Sequence, residues 1–316
     1  MVNAIASTKC TVLLILRGSS SPVSGEELAA LAGVSRVAVW KTIRLLQEAG
    51  YGIVSSKKGY MLADDLADSL YPWEFGTDER LFTHFAQTSS TMTEAHRIAE
   101  NGNAAHSPQI VTADAQTQGR GQDDRPWTTT EGSLAFTLIN RVPLQEAAAH
   151  RITMAAQIAL ADVLTSATGR RFYVRWPNDL WTETGKVAGI LSELSAIGNR
   201  CRWINEGIGL NMTRCPDSGA CDCVFPGGNA PGRKEILQRF LEEFGRQEEL
   251  AKEDSPVLAE EWNARCPDIG RLVRLQKRRQ EAAFTGINSW GWASFSAEGN
   301  TAAFPPGTES FIKGQG

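Results

Sequence analysis

Along the first sixty residues, apolar positions recur at helical spacing in short bursts, each closed by glycine or proline. Thr8–Arg17 has the apolar density of a core helix, and Gly18-Ser-Ser-Ser-Pro22 breaks it. Ser24 with Glu27 three residues on is a capping box, opening a second helix over Glu26–Ala32 that Gly33 ends. Ser35 caps a third helix running to about Ala49, stopped by Gly50. Val39, Ile43, Leu46 and Ala49 fall on its inner side, while Ser35, Arg36, Lys41 and Arg44 lie elsewhere on its surface. YGIVSSKKGYML (51–62) then reads as two short strands turning at Lys57-Lys58-Gly59. Together these predict a winged helix-turn-helix over residues 1–64.

The pattern changes after a mixed-polarity stretch, Asp64–Phe75, that reads as a linker around Pro72. From residue 76 to 265, strand and helix signals intermix. Helices are predicted over Thr91–Glu100, Arg151–Ser166, Arg233–Glu249 and Val257–Arg265. Arg151–Ser166 is expected to be amphipathic, with Ile152, Ala155, Ala159 and Val163 inward; Arg233–Glu249 is expected to bury Ile236, Phe240, Leu241 and Phe244. Strands are predicted over Gln109–Ala113, Ser133–Ile139, Phe172–Trp176, Val187–Leu194 and Trp203–Leu210, the second with Leu134, Phe136 and Leu138 on one face. This is an α+β pattern: a central mixed, mostly antiparallel sheet with helices against it. Residues 266–316 hold four short strand candidates, Val273–Leu275, Ala283–Ile287, Gly291–Phe295 and Thr301–Phe304, whose spacing suggests a small barrel.

Composition adds less than charge does. With 316 residues, 42% apolar and 22% charged, the chain is an ordinary globular protein long enough for more than one domain. No apolar run reaches the ~18 residues of a membrane span, and a cytoplasmic protein with no membrane partner is the expectation. The net charge is −4, which argues against a protein that coats nucleic acid throughout. Residues 1–62, however, carry seven Lys/Arg against three Glu, so a head of +4 precedes a remainder of −8. That asymmetry suits a local DNA-binding module, with Ser35, Arg36, Lys41, Arg44, Lys57 and Lys58 as its candidate contacts. Six cysteines are too sparse for a disulfide scaffold. Cys215, Cys221 and Cys223 match no standard zinc spacing, and a reduced surface loop is expected there.

Four segments carry candidate chemistry. Thr88-Ser-Ser-Thr-Met92 stacks hydroxyls before a helix, where they serve as caps or as donors to a buried polar ligand. AQTQGRGQDDRPW (115–127) combines Gly119 and Gly121, which let backbone approach a ligand, with the planar fork of Arg120. RWPNDLWTETGKVAGILSEL (175–194) sets Asn178 and Asp179 at a strand end and sends Lys186 into an apolar strand, an unfavourable place for an idle cation. Glu206-Gly-Ile-Gly-Leu-Asn-Met212 opens space over a strand at Gly207 and Gly209.

These segments occur in the same order in the biotin–protein ligases, which the chain resembles from about residue 80 onward. GVSRVAVWK (33–41) and KKGYML (57–62) resemble the amino-terminal domain of the bifunctional ligase/repressors of that family. The resemblance implies a class II aminoacyl-tRNA synthetase-like catalytic domain over 76–265 and an SH3-like barrel over 266–316. It implies that biotin and ATP form biotinyl-5′-adenylate with Mg²⁺, and that biotin then passes to a lysine of a biotin carboxyl carrier protein. Ser90, Thr91, Gln116, Gly119, Gly189 and Gly207 would line the biotin site. Lys186 would lie by the biotin carboxylate and the α-phosphate. Arg120, Gln122, Trp127, Asn178 and Asn211 would face the adenylate or ATP. Operator DNA would be the head's partner, and a homodimer the adenylate-bound state. The loop departs from the family's Gly-Arg-Gly-Arg pattern: Gln122 replaces the second arginine, and Asp123 and Asp124 follow, expected to point outward. A sensing transcription factor with little transfer activity therefore stands as the alternative.

Overall fold

The computed structural model describes residues 6–66, 68–101, 108–122, 125–216, 220–228, 230–253 and 255–313. It divides into two compact units, 1–84 and 85–316.

The first unit follows its local signals. Helices α1 (Thr8–Arg17), α2 (Gly25–Ala32) and α3 (Arg36–Glu48) precede strands β1 (Gly52–Ser56) and β2 (Gly59–Asp64). Each helix opens on a serine hydroxyl: Ser7 accepts from Cys10 N, Ser24 from Glu27 N and Ser35 from Ala38 N. Gly33 closes α2 in the left-handed conformation at φ 65°. Val12, Leu13, Leu16, Leu28, Val39, Ile43 and Leu46 form the core. The stretch expected as a linker belongs to this unit. Leu66, Tyr71 and Trp73 pack against that core, and residues Pro72–Leu81 form 3-10 turns. Arg17 bridges Asp65 (2.7 Å) and Glu74 (2.8 Å), and Tyr51 donates its hydroxyl to Glu74. Sequence polarity misled here because the segment's acids are spent on a partly buried arginine.

The second unit is a mixed α+β layer around a seven-stranded sheet, in the order β3-β4-β5-β9-β8-β7-β6. The strands are β3 (Phe82–Thr88), β4 (Gln109–Gln116), β5 (Leu134–Asn140), β6 (Tyr173–Arg175), β7 (Asp179–Trp181), β8 (Lys186–Ile197) and β9 (Arg200–Leu210). The registered pairings β4/β5, β5/β9, β9/β8, β8/β7 and β7/β6 are antiparallel. Helix α4 (Thr91–Asn101) covers one face, its Ala95 and Ala99 packing on Val111, Ile139 and Trp203. The main core involves α5 (His150–Thr168), α6 (Arg233–Lys252) and α7 (Val257–Ala264), with Trp262, Phe136, Phe240 and Phe244 among its largest fully buried side chains.

Leu134, Phe136 and Leu138 share a face of β5 and are buried, and the strand's other positions are buried as well, because the sheet is covered on both sides at its centre. One packing expectation needs correction. α5 is buried from Arg151 through Ala161 all round, so its polar residues are structural rather than solvent-facing. Gln157 shows their use: it donates to the carbonyls of Arg175 and Asp179 and accepts from Trp262 Nε1. In α6, Leu237 is fully buried and Leu241 only partly so.

The carboxy-terminal strands β10 (Leu272–Leu275), β11 (Gln280–Ile287), β12 (Ala293–Ala297), β13 (Asn300–Phe304) and β14 (Phe311–Lys313) form a five-stranded antiparallel sheet, order β13-β12-β11-β10-β14. The expected closed barrel is not what forms among the described residues: β13 and β14 end the ladder as separate edges, and β13 is largely exposed. No helix among the described residues is long and apolar enough to cross a membrane.

Candidate active site

The sheet's strand register assembles the site on one face. Gly207 of β9 lies between Thr137 of β5 and Leu191 of β8; two residues on, Gly209 lies between Ala135 and Gly189. Because alternate residues share a face, the glycines form a bare floor. That floor is already approached closely: a Cβ at Gly207 would meet Met92 Cγ at 2.5 Å, and one at Gly209 would meet the Trp127 ring at 2.3 Å. The cavity above it, about 660 Å³, collects residues from all four candidate segments.

At the Gly207 end stand hydroxyls and a carboxamide. Gln116 Oε1 accepts from Thr91 N (2.8 Å) and Thr91 Oγ1 (3.1 Å), and Thr137 donates to Thr91 Oγ1 (2.9 Å). Ser90 accepts from Met92 N at 3.2 Å, capping the start of α4. Midway, the Lys186 ammonium is 3.1 Å from the place of a Gly189 Cβ and 5.6 Å from the Trp127 ring centre. It pairs with Asp179 at 2.6 Å. At the far end is Asn211, 2% exposed, whose Nδ2 donates to Cys221 Sγ and the Asp222 carbonyl while Oδ1 has no partner.

Residues 119–122 pair back on residues 125–127 as the two sides of a hairpin. Trp127 N donates to Gly119 O (2.8 Å), Gly121 N to Arg125 O (2.7 Å), and Arg125 N to Gln122 O (3.2 Å). Asp123 and Asp124, expected to point outward, lie outside the described residues. The hairpin's root puts Trp127 on the glycine floor with its indole N–H buried and unpartnered. Arg120 is turned to Glu193 of β8, at 3.2 Å. Gly119 closes the hairpin and does not line the cavity, whereas Ser90, Thr91, Gln116, Arg120, Gln122, Trp127, Asn178, Lys186, Gly189, Gly207 and Asn211 all do.

Local folding explains Asn178 and Lys186. Asn178 clamps β8 twice, its carbonyl accepting from Ile190 N (2.9 Å) and its side chain donating to Ile190 O. Residues 220–222 run beside Lys186: Lys186 N donates to Ala220 O and Asp222 N donates to Lys186 O. Trp176 is held by Gly291 O and stacks on Phe311, so the carboxy-terminal sheet buttresses the Trp-Pro-Asn-Asp turn. His150 reaches the Pro177 backbone, and burial lowers its pKa to about 4, keeping it neutral. Gln276, Lys277, Glu309 and Phe311 also line the cavity. Of these, the sequence singled out Lys277, with Arg274, as a residue that could reach ATP; Gln276, Glu309 and Phe311 are strand-end residues that no pattern marked, and Arg274 does not line the cavity.

The clustered cysteines are free, and Cys223 is buried, which corrects the surface-loop expectation for it. Burial and the neighbouring Cys215 thiol push Cys221 up to about 11. On the opposite face of the sheet, Glu206 accepts from Ser192 (2.8 Å) and Thr153 (3.0 Å), and burial raises its pKa to about 8.

In the first unit, Arg36, Lys41, Arg44, Lys57 and Lys58 are exposed as expected. Ser35 spends its acceptor on the α3 cap, Arg36 pairs with Glu26 (3.0 Å), and Arg44 approaches Glu48 (3.7 Å).

The chain is similar to known proteins. The profile of the Biotin/lipoate A/B protein ligase family matches residues 84–211, and that of an HTH domain matches residues 9–61. The chain is 32% identical over 219 residues to the bifunctional ligase/repressor BirA of Bacillus subtilis (strain 168), covering 66% of this chain and 66% of that one. It is 33% identical over 224 residues to the biotin–[acetyl-CoA-carboxylase] ligase of Paracoccus denitrificans, covering 65% of this chain and 90% of that one. The biotin protein ligase from Aquifex aeolicus in complex with biotin and ATP shares the fold: TM-score 0.62 at 23% identity, over 74% of this chain and 99% of that chain.

Proposed function

Because the chain belongs to the biotin/lipoate A/B protein ligase family and carries an HTH domain, we propose that it is a biotin–protein ligase that also represses transcription in response to biotin. The observation that carries the proposal is Lys186, a cation set over a glycine floor in a cavity with hydroxyls at one end and asparagines at the other.

The reaction must bring two anions together. A biotin carboxylate oxygen bonds to the α-phosphorus of ATP while the bond to pyrophosphate breaks. An amine of the carrier lysine then attacks the acyl carbon, and AMP leaves. Two unit charges at ~4 Å repel by about 1 kcal/mol in water and about 4 kcal/mol at an effective dielectric of 20. An ammonium has three donors. Lys186 commits one to Asp179 and keeps two for carboxylate and phosphate oxygens. Asp179 thus aims the lysine rather than quenching it. Ser90, Thr91 and Gln116 supply polar contacts for the biotin ring, and the glycine floor leaves room for its chain. Asn178 and the unpartnered Asn211 Oδ1 face the nucleotide, and Arg120 leaves Glu193 for phosphate oxygens. Charge neutralisation and alignment do the work, with no protein nucleophile.

Mg²⁺ fits as a partner of ATP. Such an ion keeps several waters and binds mainly phosphate oxygens, offsetting their charge. A biotin carboxyl carrier protein is the proposed acceptor, operator DNA the partner of the first unit, the cytoplasm the compartment, and a homodimer the adenylate-bound form.

Incubation with biotin and Mg·ATP should release pyrophosphate and leave a bound adenylate, and labelled biotin should pass to a carrier domain. Adenylate without transfer would favour a sensor lacking ligase turnover, a reading that the missing second arginine at Gln122 keeps open.

A further inference from the structure

The outward face of α3 is not simply basic. Val39, Thr42, Ile43 and Leu46 turn into the core, which leaves Val37, Lys41 and Arg44 on the opposite side at helical spacing. Trp40 and Leu45 flank that row. Val37 is 63% exposed, Trp40 49% and Leu45 48%. Exposed tryptophan on a thirteen-residue helix is an uncommon expense of apolar surface. Trp40 is also held in place: the Arg44 guanidinium lies 5.3 Å from its ring centre, one turn along the helix.

A helix-turn-helix presents the first turns of this helix to base edges in the major groove. There, thymine is marked by a methyl group that apolar side chains contact. We propose that Val37 and Trp40 read thymine methyl groups of a duplex, while Lys41, Arg44 and the wing lysines Lys57 and Lys58 hold its phosphates. The occupant is argued from charge: cations flank the apolar pair on the same helix and on the neighbouring hairpin. Of the acids beside this helix, Glu48 sits at its far end, 3.7 Å from Arg44, and Glu26 of α2 is paired with Arg36 at 3.0 Å. Trp40 is therefore a specificity determinant and the lysines are affinity determinants. This inference rests on the reading of the first unit as a DNA-binding module.

The test uses the full-length protein with biotin and Mg·ATP. Duplexes are selected from a random library, and each selected thymine is replaced in turn by deoxyuridine, which lacks only the methyl group. Loss of a contacted methyl should weaken binding about fourfold, the worth of one buried methylene-sized group. Trp40→Ala should erase that discrimination at one or more positions without changing the slope of affinity against salt, which counts phosphate contacts. Trp40→Phe should restore part of it. Equal binding of thymine and deoxyuridine duplexes, with Trp40→Ala inert, overturns the inference and leaves DNA binding intact. Failure to bind any duplex overturns both. A change in oligomeric mass on Trp40→Ala, with DNA binding unaltered, assigns the face to a second copy of the chain and also overturns it.

Discussion

The proposed partners of both units are anionic, and the two units keep their cations differently. In the first, Lys41, Lys57 and Lys58 are exposed and have no ion-pair partner among the described residues. In the second, Lys186 and Arg120 of the cavity are already engaged, Lys186 with Asp179 and Arg120 with Glu193. Hydrated surface charges suit a polyanion whose binding releases counterions and weakens with salt. Paired, partly buried charges suit a small ligand that must displace or share a carboxylate, which makes binding selective and less sensitive to screening. One chain thus carries a salt-tuned contact and a geometry-tuned one.

The contrast breaks most sharply at Lys186. Lys186→Met should lower kcat/KM for adenylate formation at least about 100-fold, as loss of a preorganised charge contact does. Isotope exchange between pyrophosphate and ATP measures it, and unchanged exchange would sink the ligase mechanism. Gln122→Arg adds a cation to a site whose Lys186 and Arg120 are already paired with carboxylates. A charge ~6 Å from phosphate is worth about 0.7 to 2.8 kcal/mol, so adenylate release should slow roughly 3- to 100-fold; equal release rates in rapid-dilution experiments would refute the idea. On the first unit, Lys57→Ala or Lys58→Ala should each reduce the log–log salt slope of duplex binding by about 0.9, one phosphate contact's share, without altering sequence preference. A titration at several salt concentrations reads it.

The smallest effect concerns Glu206, which has serine and threonine for partners instead of a cation. Burial raises its pKa to about 8. An unfolded glutamate titrates near 4.3. Between those values the folded chain keeps a proton that the unfolded chain loses, so this group's contribution to stability is greatest at acid pH and falls as pH rises through about 8. Thermal midpoints should decline over that window in the natural protein and decline less in Glu206→Gln.

Legibility also divided along the chain. The first unit was readable because serine caps and glycine stops act within four residues of what they control, and Ser24, Gly33 and Ser35 sit where they were expected. The second unit's strands β3, β7 and β14 had no such markers. Their existence depends on neighbours far away in sequence, and β7 and β14 are only three residues long. Lys186 could be suspected because a cation in an apolar strand conflicts with its surroundings. Its bond to Asp179 could not, since β7 and β8 bring the two together only by pairing. Gln157 was hidden for the same reason: a polar residue mid-helix looks solvated until the carbonyls it serves are in place.

The hairpin over the glycine floor has a consequence for how this sequence can drift. A side chain at residue 209 would evict the Trp127 ring, and one at residue 119 would strike the Trp127 carbonyl, so those three positions are locked to one another. Mutational freedom is thereby pushed outward along the hairpin, toward residue 122. Gln122, where the expected second arginine is absent, lies outside that lock.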